Sequence, residues 1–88
     1  MKLTQDEIIV RHLEHNGGWI PSHELQGRIT PFGFIGGAGA VRAREIARND
    51  CADHLKNRIE REKGSKIGLD WRFTYFRAKR ATQAALQI

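Results

Sequence analysis

The segment from residue 36 to 50, GGAGAVRAREIARND, combines glycine and arginine, two residue types that proteins use to bind phosphate. Glycine-rich loops bind it through backbone amides, and arginine binds it through the guanidinium group. A Walker-type loop needs a lysine followed by a hydroxyl residue after its glycines, but Val41 and Arg42 stand there. The preceding GFIGGAGA also lacks the spacing of a dinucleotide-binding loop. The segment therefore argues against nucleotide binding.

The residues that follow these glycines have the pattern of an amphipathic helix. At about 100° per residue, one arc is apolar and is expected to face the core. Its members are Ala40, Ala43, Ile46 and Ala47. The opposite arc contains Arg42, Arg44, Glu45, Arg48 and Asn49. Val41 lies among these polar residues, where a small apolar group would suit a thymine methyl beside arginines that contact guanine or phosphate. The alternative is a solvated charged face that includes one valine.

The basic charge of the chain is concentrated in its second part. The 88 residues form a single domain with a net charge of +5. Residues 1 to 27 contain two basic and four acidic side chains, whereas residues 28 to 88 contain thirteen basic and six acidic ones. This asymmetry is typical of a domain that presents one surface to a polyanion. Charge that serves only solubility is the alternative.

The chain has no pattern expected of a secreted or membrane protein. Its apolar runs, such as Ile8 to Val10, are far shorter than the roughly 20 residues of a membrane span. The start MKLTQDEIIV lacks the basic segment and apolar stretch of a secretory signal. The single cysteine, Cys51, cannot form an internal disulfide, in keeping with a reducing compartment. We therefore expect a cytoplasmic protein that does not bind membranes.

Helical signals divide the first half of the chain. Thr4 followed by Glu7 forms a capping box, and the NGG sequence at residues 16–18 supplies a left-handed stop, which predicts a helix from about residue 5 to 15. Ser22 can cap a second short helix over the sequence HELQGRI.

The segment before the arginine-containing helix is rich in residues that interrupt regular structure. TPFGFIGG, residues 30–37, is rich in glycine and proline and is predicted to be a loop whose two phenylalanines anchor it to the core.

A basic hairpin is predicted after Cys51. The first arm alternates over Leu55, Asn57, Ile59 and Arg61, although a helix ending at Gly64 fits the same residues. The second arm has aromatic residues at a period of two, which are expected to form its core face. They are Trp71, Phe73 and Tyr75.

In this order of elements the chain resembles the small winged helix-turn-helix proteins of bacteriophages and prophages. The similar segments are LTQDEIIVRHLEHNGGWI, AVRAREI, and NRIERE leading to RFTYFRA. The resemblance implies an α+β winged helix-turn-helix domain over residues 1–78, with three helices followed by a two-stranded β-hairpin wing. Residues 79–88 would then form a short C-terminal helix or a frayed tail.

The resemblance also implies binding of double-stranded DNA, with the third helix in the major groove and the wing along the backbone or minor groove. The recognition helix would contribute Arg42, Arg44, Arg48 and Asn49, together with Val41. Ser22 and His23 would meet phosphates through backbone amides at the start of the second helix. The wing tip would contribute Lys63, Ser65 and Lys66.

Two functions fit these expectations. The first is a transcription regulator or DNA-handling accessory factor of a phage or mobile element, in the cytoplasm of a bacterial or phage-infected cell. The second is an interaction module of a phage assembly, in which the arginines contact an acidic protein partner. A homodimer paired through the C-terminal tail fits either one.

We expect no catalysis, cofactor or metal. The one mixed cluster of potential metal ligands contains a single cysteine and a single histidine, a combination that arises easily by chance. Its members are Asp50, Cys51, Asp53 and His54.

Overall fold

A computed structural model describes residues 2–79 as two α-helices and five short β-strands. Helix α1 spans Gln5–Asn16 and helix α2 spans Gly39–Ala47. The strands are β1 (Ile20–Pro21), β2 (Arg28–Thr30), β3 (Gly33–Ile35), β4 (Ile59–Lys63) and β5 (Thr74–Ala78). Strands β1, β5 and β4 form one antiparallel sheet in that order, while β2 and β3 form a separate hairpin.

The capping box of α1 is present as predicted. The Thr4 hydroxyl accepts a hydrogen bond from the Glu7 amide at 3.2 Å, and the Thr4 amide donates to the Glu7 carboxylate at 2.9 Å. The backbone bond from Thr4 and a contact with His54 hold the pKa of Glu7 below its usual value. At the other end, Gly17 adopts a φ of 77° and its amide donates to the Leu13 carbonyl, which closes the helix.

The hydrophobic core lies between the two helices and one face of the three-stranded sheet. Phe76 of β5 is the largest fully buried side chain, with 1% of its surface exposed. Helix α1 contributes Ile9 and Leu13 to the same cluster, and α2 contributes Ala43 and Ile46. The apolar arc predicted for α2 therefore does face the core at these two positions.

The predicted three-helix architecture is wrong, and with it the winged helix-turn-helix fold class. Where the second helix was expected, the chain forms a single 3₁₀ turn over Ser22–Leu25 and then enters β2. Gly27 adopts a φ of 61°, which ends the turn. The fold is α+β, with two helices and five strands in two small antiparallel sheets across the described residues.

The segment predicted as a loop over residues 30–37 instead contains the turn and second strand of the β2–β3 hairpin. The Thr30 hydroxyl donates to the Gly33 carbonyl at 2.7 Å and accepts from the Phe32 amide at 3.1 Å, which closes the turn. The Gln5 side chain then fastens β3 to α1, donating to the Phe34 carbonyl and accepting from the Gly36 amide. The Phe34 carbonyl and the Gly36 amide thereby gain hydrogen-bond partners on α1.

Only one of the two phenylalanines in this segment anchors it. Phe32 is half-buried against the core and meets the His15 ring edge to face, whereas Phe34 is 56% exposed. Phe34 pairs across the hairpin with Ile29, which is 86% exposed, so this face of the hairpin points away from the core. Phe32 can turn toward the core because it lies in the turn before β3, outside the alternation that places Phe34 on the exposed face.

The β4–β5 hairpin forms as predicted, and the helical alternative for its first arm is not observed. The expected aromatic core face is confirmed only for Tyr75, which is buried. Because β5 begins at Thr74, Trp71 and Phe73 lie in the connection before the strand, where Trp71 is 76% exposed and Phe73 is half-buried. Phe76, which was not predicted to face the core, is fully buried. An Arg72 side chain holds that connection by donating two hydrogen bonds to Asp70, which lowers the pKa of Asp70 to about 2.

The predicted C-terminal tail over residues 79–88 lies outside the described residues, except for Lys79. The Lys79 amide donates to the Arg58 carbonyl at 3.0 Å, which extends the pairing beyond β5. Neither helix within residues 2–79 is long and apolar enough to cross a membrane.

Candidate nucleic-acid interface

Close packing at its first residue sets the orientation of α2. Gly39 is buried so tightly that a Cβ atom placed on it would lie 1.8 Å from the Leu25 carbonyl oxygen. With Ala43 and Ile46 also buried, the opposite side of the helix must face solvent. That side contains Val41, which is 50% exposed, and the exposed Arg44 and Arg48. Their spacing of three and four residues aligns them in one stripe.

Arg42 points away from this stripe and joins the two helices. Its guanidinium donates to both carboxylate oxygens of Asp6 on α1, at 2.9 and 2.6 Å, and it also pairs with Glu45. These hydrogen bonds to Asp6 are the main cause of the raised pKa of Arg42. The sequence grouped Arg42 with the other arginines, but here its donors are occupied within the protein.

Asn49 likewise has a structural role. It adopts a φ of 65° just after α2, and its side-chain amide donates to the Asn57 side chain at 3.0 Å. Its side-chain oxygen accepts from the Asn57 backbone amide at 2.9 Å. This pair fastens the end of α2 to the segment that leads into β4, so the Asn49 amide is not free to read a base.

Arg44 lines a cavity of about 220 Å³ between α2 and the sheet. Arg61 enters the same cavity from β4 because Ile59, two residues earlier on that strand, is buried on the same face. The hydroxyl residues Ser22 and Thr74 complete its polar rim. The remaining lining residues are Ala40 and Phe76.

The other predicted contact residues are not among those that line this cavity. Lys63 follows Arg61 on the same face of β4 and pairs with Thr74. Ser65 and Lys66 are exposed in the 3₁₀ turn Gly64–Lys66 at the end of the hairpin. His23 is exposed, but its ring packs against Phe73 with centroids 4.8 Å apart.

Five cations in this region lack a carboxylate partner within 4.0 Å among the described residues, and we call them the basic face. They are Arg44, Arg48, Arg61, Lys63 and Lys66. Elsewhere, arginines are neutralised by a nearby carboxylate; these are Arg28, Arg42, Arg58, Arg72 and Arg77. Within residues 2–79, Lys2, Arg11 and Lys79 also lack a carboxylate partner, and Arg11 lines a different cavity with Glu14 and Arg58. Of the unpartnered cations, Arg44 and Arg61 are the two that line one cavity without a carboxylate.

Sequence reasoning did not include Arg61 and Thr74 among the site residues. The alternation of Ile59, Arg61 and Lys63 was visible, and it indicates that the two cations share a face with the buried isoleucine. The position of Thr74 opposite Lys63 depends on the register of the hairpin, which no local signal in the chain specifies.

A metal centre has no support within residues 2–79, where no three His, Cys, Asp or Glu side chains are grouped to hold an ion. Comparisons of the chain with protein-family models, curated proteins and solved structures gave no match. Any functional assignment must therefore come from the chemistry of the surface itself.

Replacing Arg42 with glutamine should lower the free energy of unfolding by about 1 kcal/mol, at the upper end for a partly exposed ion pair. The reason is the loss of its paired hydrogen bonds to Asp6. Urea unfolding measures the change, and DNA binding by the folded variant should stay within twofold of the native value. A large loss of binding without loss of stability would return Arg42 to the contact surface.

Proposed function

We propose that this protein binds double-stranded DNA through the basic face. The observation that supports this most directly is that five cations of α2, β4 and their following residues have no carboxylate partner, two of them at one cavity, whereas most other arginines of the described residues have one. Leaving several like charges close together destabilises a folded protein unless an anion compensates them. A polyanion of regular charge spacing meets that requirement.

Helix α2 has the dimensions and side chains for the major groove. An α-helix with its side chains is about 10–12 Å in diameter, and the major groove of B-DNA is about 12 Å wide, so the nine residues of α2 can enter it. Val41 and Arg48, at the two ends of the exposed stripe, would supply an apolar contact for a thymine methyl and a guanidinium for a guanine edge. Lys63 and Lys66, at the end of the β4–β5 hairpin, would follow the phosphate backbone.

The proposed biological role is that of a transcription regulator or a DNA-handling accessory factor. DNA binding alone explains the positions of the residues in the basic face, and the role involves no catalytic step. A protein of this kind would act by its position on DNA.

The test is binding of the native chain to a random duplex library between about 50 and 200 mM salt. If the basic face neutralises three or four phosphates, the slope of log K against log salt should lie between about −2.7 and −3.6, and affinity should fall roughly 40- to 150-fold over this range. Sequencing the retained duplexes then separates specific from non-specific binding. In a parallel experiment, binding of the native chain to polyglutamate tests for an acidic protein partner. Capture of polyglutamate without salt-dependent retention of DNA would contradict the proposal and favour a protein partner.

A further inference from the structure

The cavity between α2 and the three-stranded sheet has the composition of an anion site. Arg44 and Arg61 both line this space of about 220 Å³, and no carboxylate is among its lining residues. The volume exceeds the roughly 10–15 Å³ needed to hold one water molecule, so a tetrahedral oxyanion with its hydration can enter. The other cations of the basic face do not line the cavity.

Two hydroxyl groups make the site specific for an acceptor-rich ligand. Ser22 lies at the start of its 3₁₀ turn and Thr74 at the start of β5, and both line the cavity. Among the residues that the structure describes, neither hydroxyl takes part in a side-chain hydrogen bond. A phosphate group has enough oxygen atoms to accept from both hydroxyls and both guanidinium groups, and charge-assisted bonds of this kind are the stronger class.

The elements around the cavity hold the backbones of these four residues in place. Arg61 pairs directly with Phe76 across β4 and β5, and Phe76 lines the cavity and belongs to the core. Arg44 is on α2, whose first residue, Gly39, packs against the Leu25 carbonyl of the 3₁₀ turn that begins at Ser22. Because the backbones are already positioned, binding has to order only the side chains, which favours a discrete site over diffuse attraction.

We propose that the cavity lined by Ser22, Arg44, Arg61 and Thr74 binds a single phosphate group of the DNA backbone and so sets the register of α2 on the duplex. This inference rests on the proposed function. Both arginines bind the same phosphate, Arg44 from the helix and Arg61 from the strand. Phosphate contacts position a protein on the duplex, while base contacts elsewhere specify the sequence.

The sharing of one phosphate by two arginines is tested by the salt dependence of DNA binding. The double variant Arg44→Gln/Arg61→Gln should reduce the magnitude of the slope of log K against log salt by about 0.9, the amount for one phosphate. A reduction of about 1.8 would mean that each arginine neutralises its own phosphate, and would overturn the proposal. Adding Lys63→Gln to the double variant should reduce the magnitude of the slope by a further amount of about 0.9. The matched control Arg11→Gln removes an unpartnered charge outside the basic face and should leave the slope unchanged.

A second measurement tests the cavity without DNA. Inorganic phosphate added to the native chain at constant ionic strength should cause saturable NMR shifts at Ser22, Arg44, Arg61 and Thr74, and chloride should not. Arg61→Gln should abolish saturation while Arg11→Gln retains it. DNA binding with the expected slope but no saturable phosphate shifts would overturn the cavity site and leave the proposed function standing. Saturable phosphate shifts without any binding of duplex DNA would refute the proposed function, and with it the assignment of this phosphate to DNA.

Discussion

The double variant Arg44→Ala/Arg48→Ala should bind duplex DNA at least about 30-fold more weakly than the native chain at roughly 100 mM salt. Each arginine lies on the exposed stripe of α2 and lacks a carboxylate partner within the described residues. A guanidinium contact to a phosphate or a base edge contributes about 1–3 kcal/mol, so the loss of two such contacts corresponds to this factor or more. Fluorescence anisotropy with a labelled duplex measures the affinity.

The same variant should keep its fold, because neither arginine packs in the core and alanine is the strongest helix former. Its thermal unfolding midpoint should lie within a few degrees of the native one. The control Lys2→Ala/Arg11→Ala removes the same formal charge at exposed positions outside the basic face. If the two double variants lose affinity equally, net charge rather than the α2 stripe determines binding, and the assignment of the interface is wrong.

Gly39→Ala should have the largest effect on stability, a net loss of about 2 kcal/mol in the free energy of unfolding. The added methyl would lie 1.8 Å from the Leu25 carbonyl oxygen and 2.4 Å from the Ile35 side chain. The oxygen belongs to the backbone, so α2 must move away from the 3₁₀ turn to admit the methyl, and such overpacking costs about 1–3 kcal/mol or more. Alanine improves helix propensity by about 1 kcal/mol, but this gain is smaller than the cost of the clash.

The control for this variant is Gly37→Ala in the same glycine-rich segment. No atom lies within 4 Å of a Cβ placed there, and its backbone is outside the left-handed region, so we expect a change within about 0.5 kcal/mol. Urea unfolding of both variants gives the comparison. Equal stability of the Gly39 variant and the native chain would show that α2 does not pack as described, and would also weaken the geometry assigned to the cavity.

Local signals predicted the elements whose stabilising contacts are close in sequence. The capping box from Thr4 to Glu7 and the stop at Gly17 depend on residues within a few positions of each other, so α1 was predicted to within one residue of each end. The alternation through Ile59 and Arg61 likewise predicted the first arm of the hairpin.

The errors arose where distant contacts decide the local conformation. The stretch after Ser22 has residues that suit a helix, yet Gly27 turns the chain and β2 pairs with β3 instead. That hairpin is fastened by Gln5, about thirty residues away in sequence. The periodicity of the sequence contains no information on a contact between residues so far apart. Tertiary pairing of β2 with β3 therefore overrides the weak helical preference of this stretch.

The amino-acid sequence by itself determined that this chain is basic in its second part, that arginines lie on one arc of a helix, and that a basic strand follows. It could not separate Arg42, which binds Asp6, from Arg44, which remains available, because both lie on the polar arc. Only the tertiary structure brought Arg61 and Thr74 to the same cavity as Arg44. The physical reason is that periodicity specifies which side of an element faces outward, whereas the neighbour that it meets there depends on strand register and helix packing.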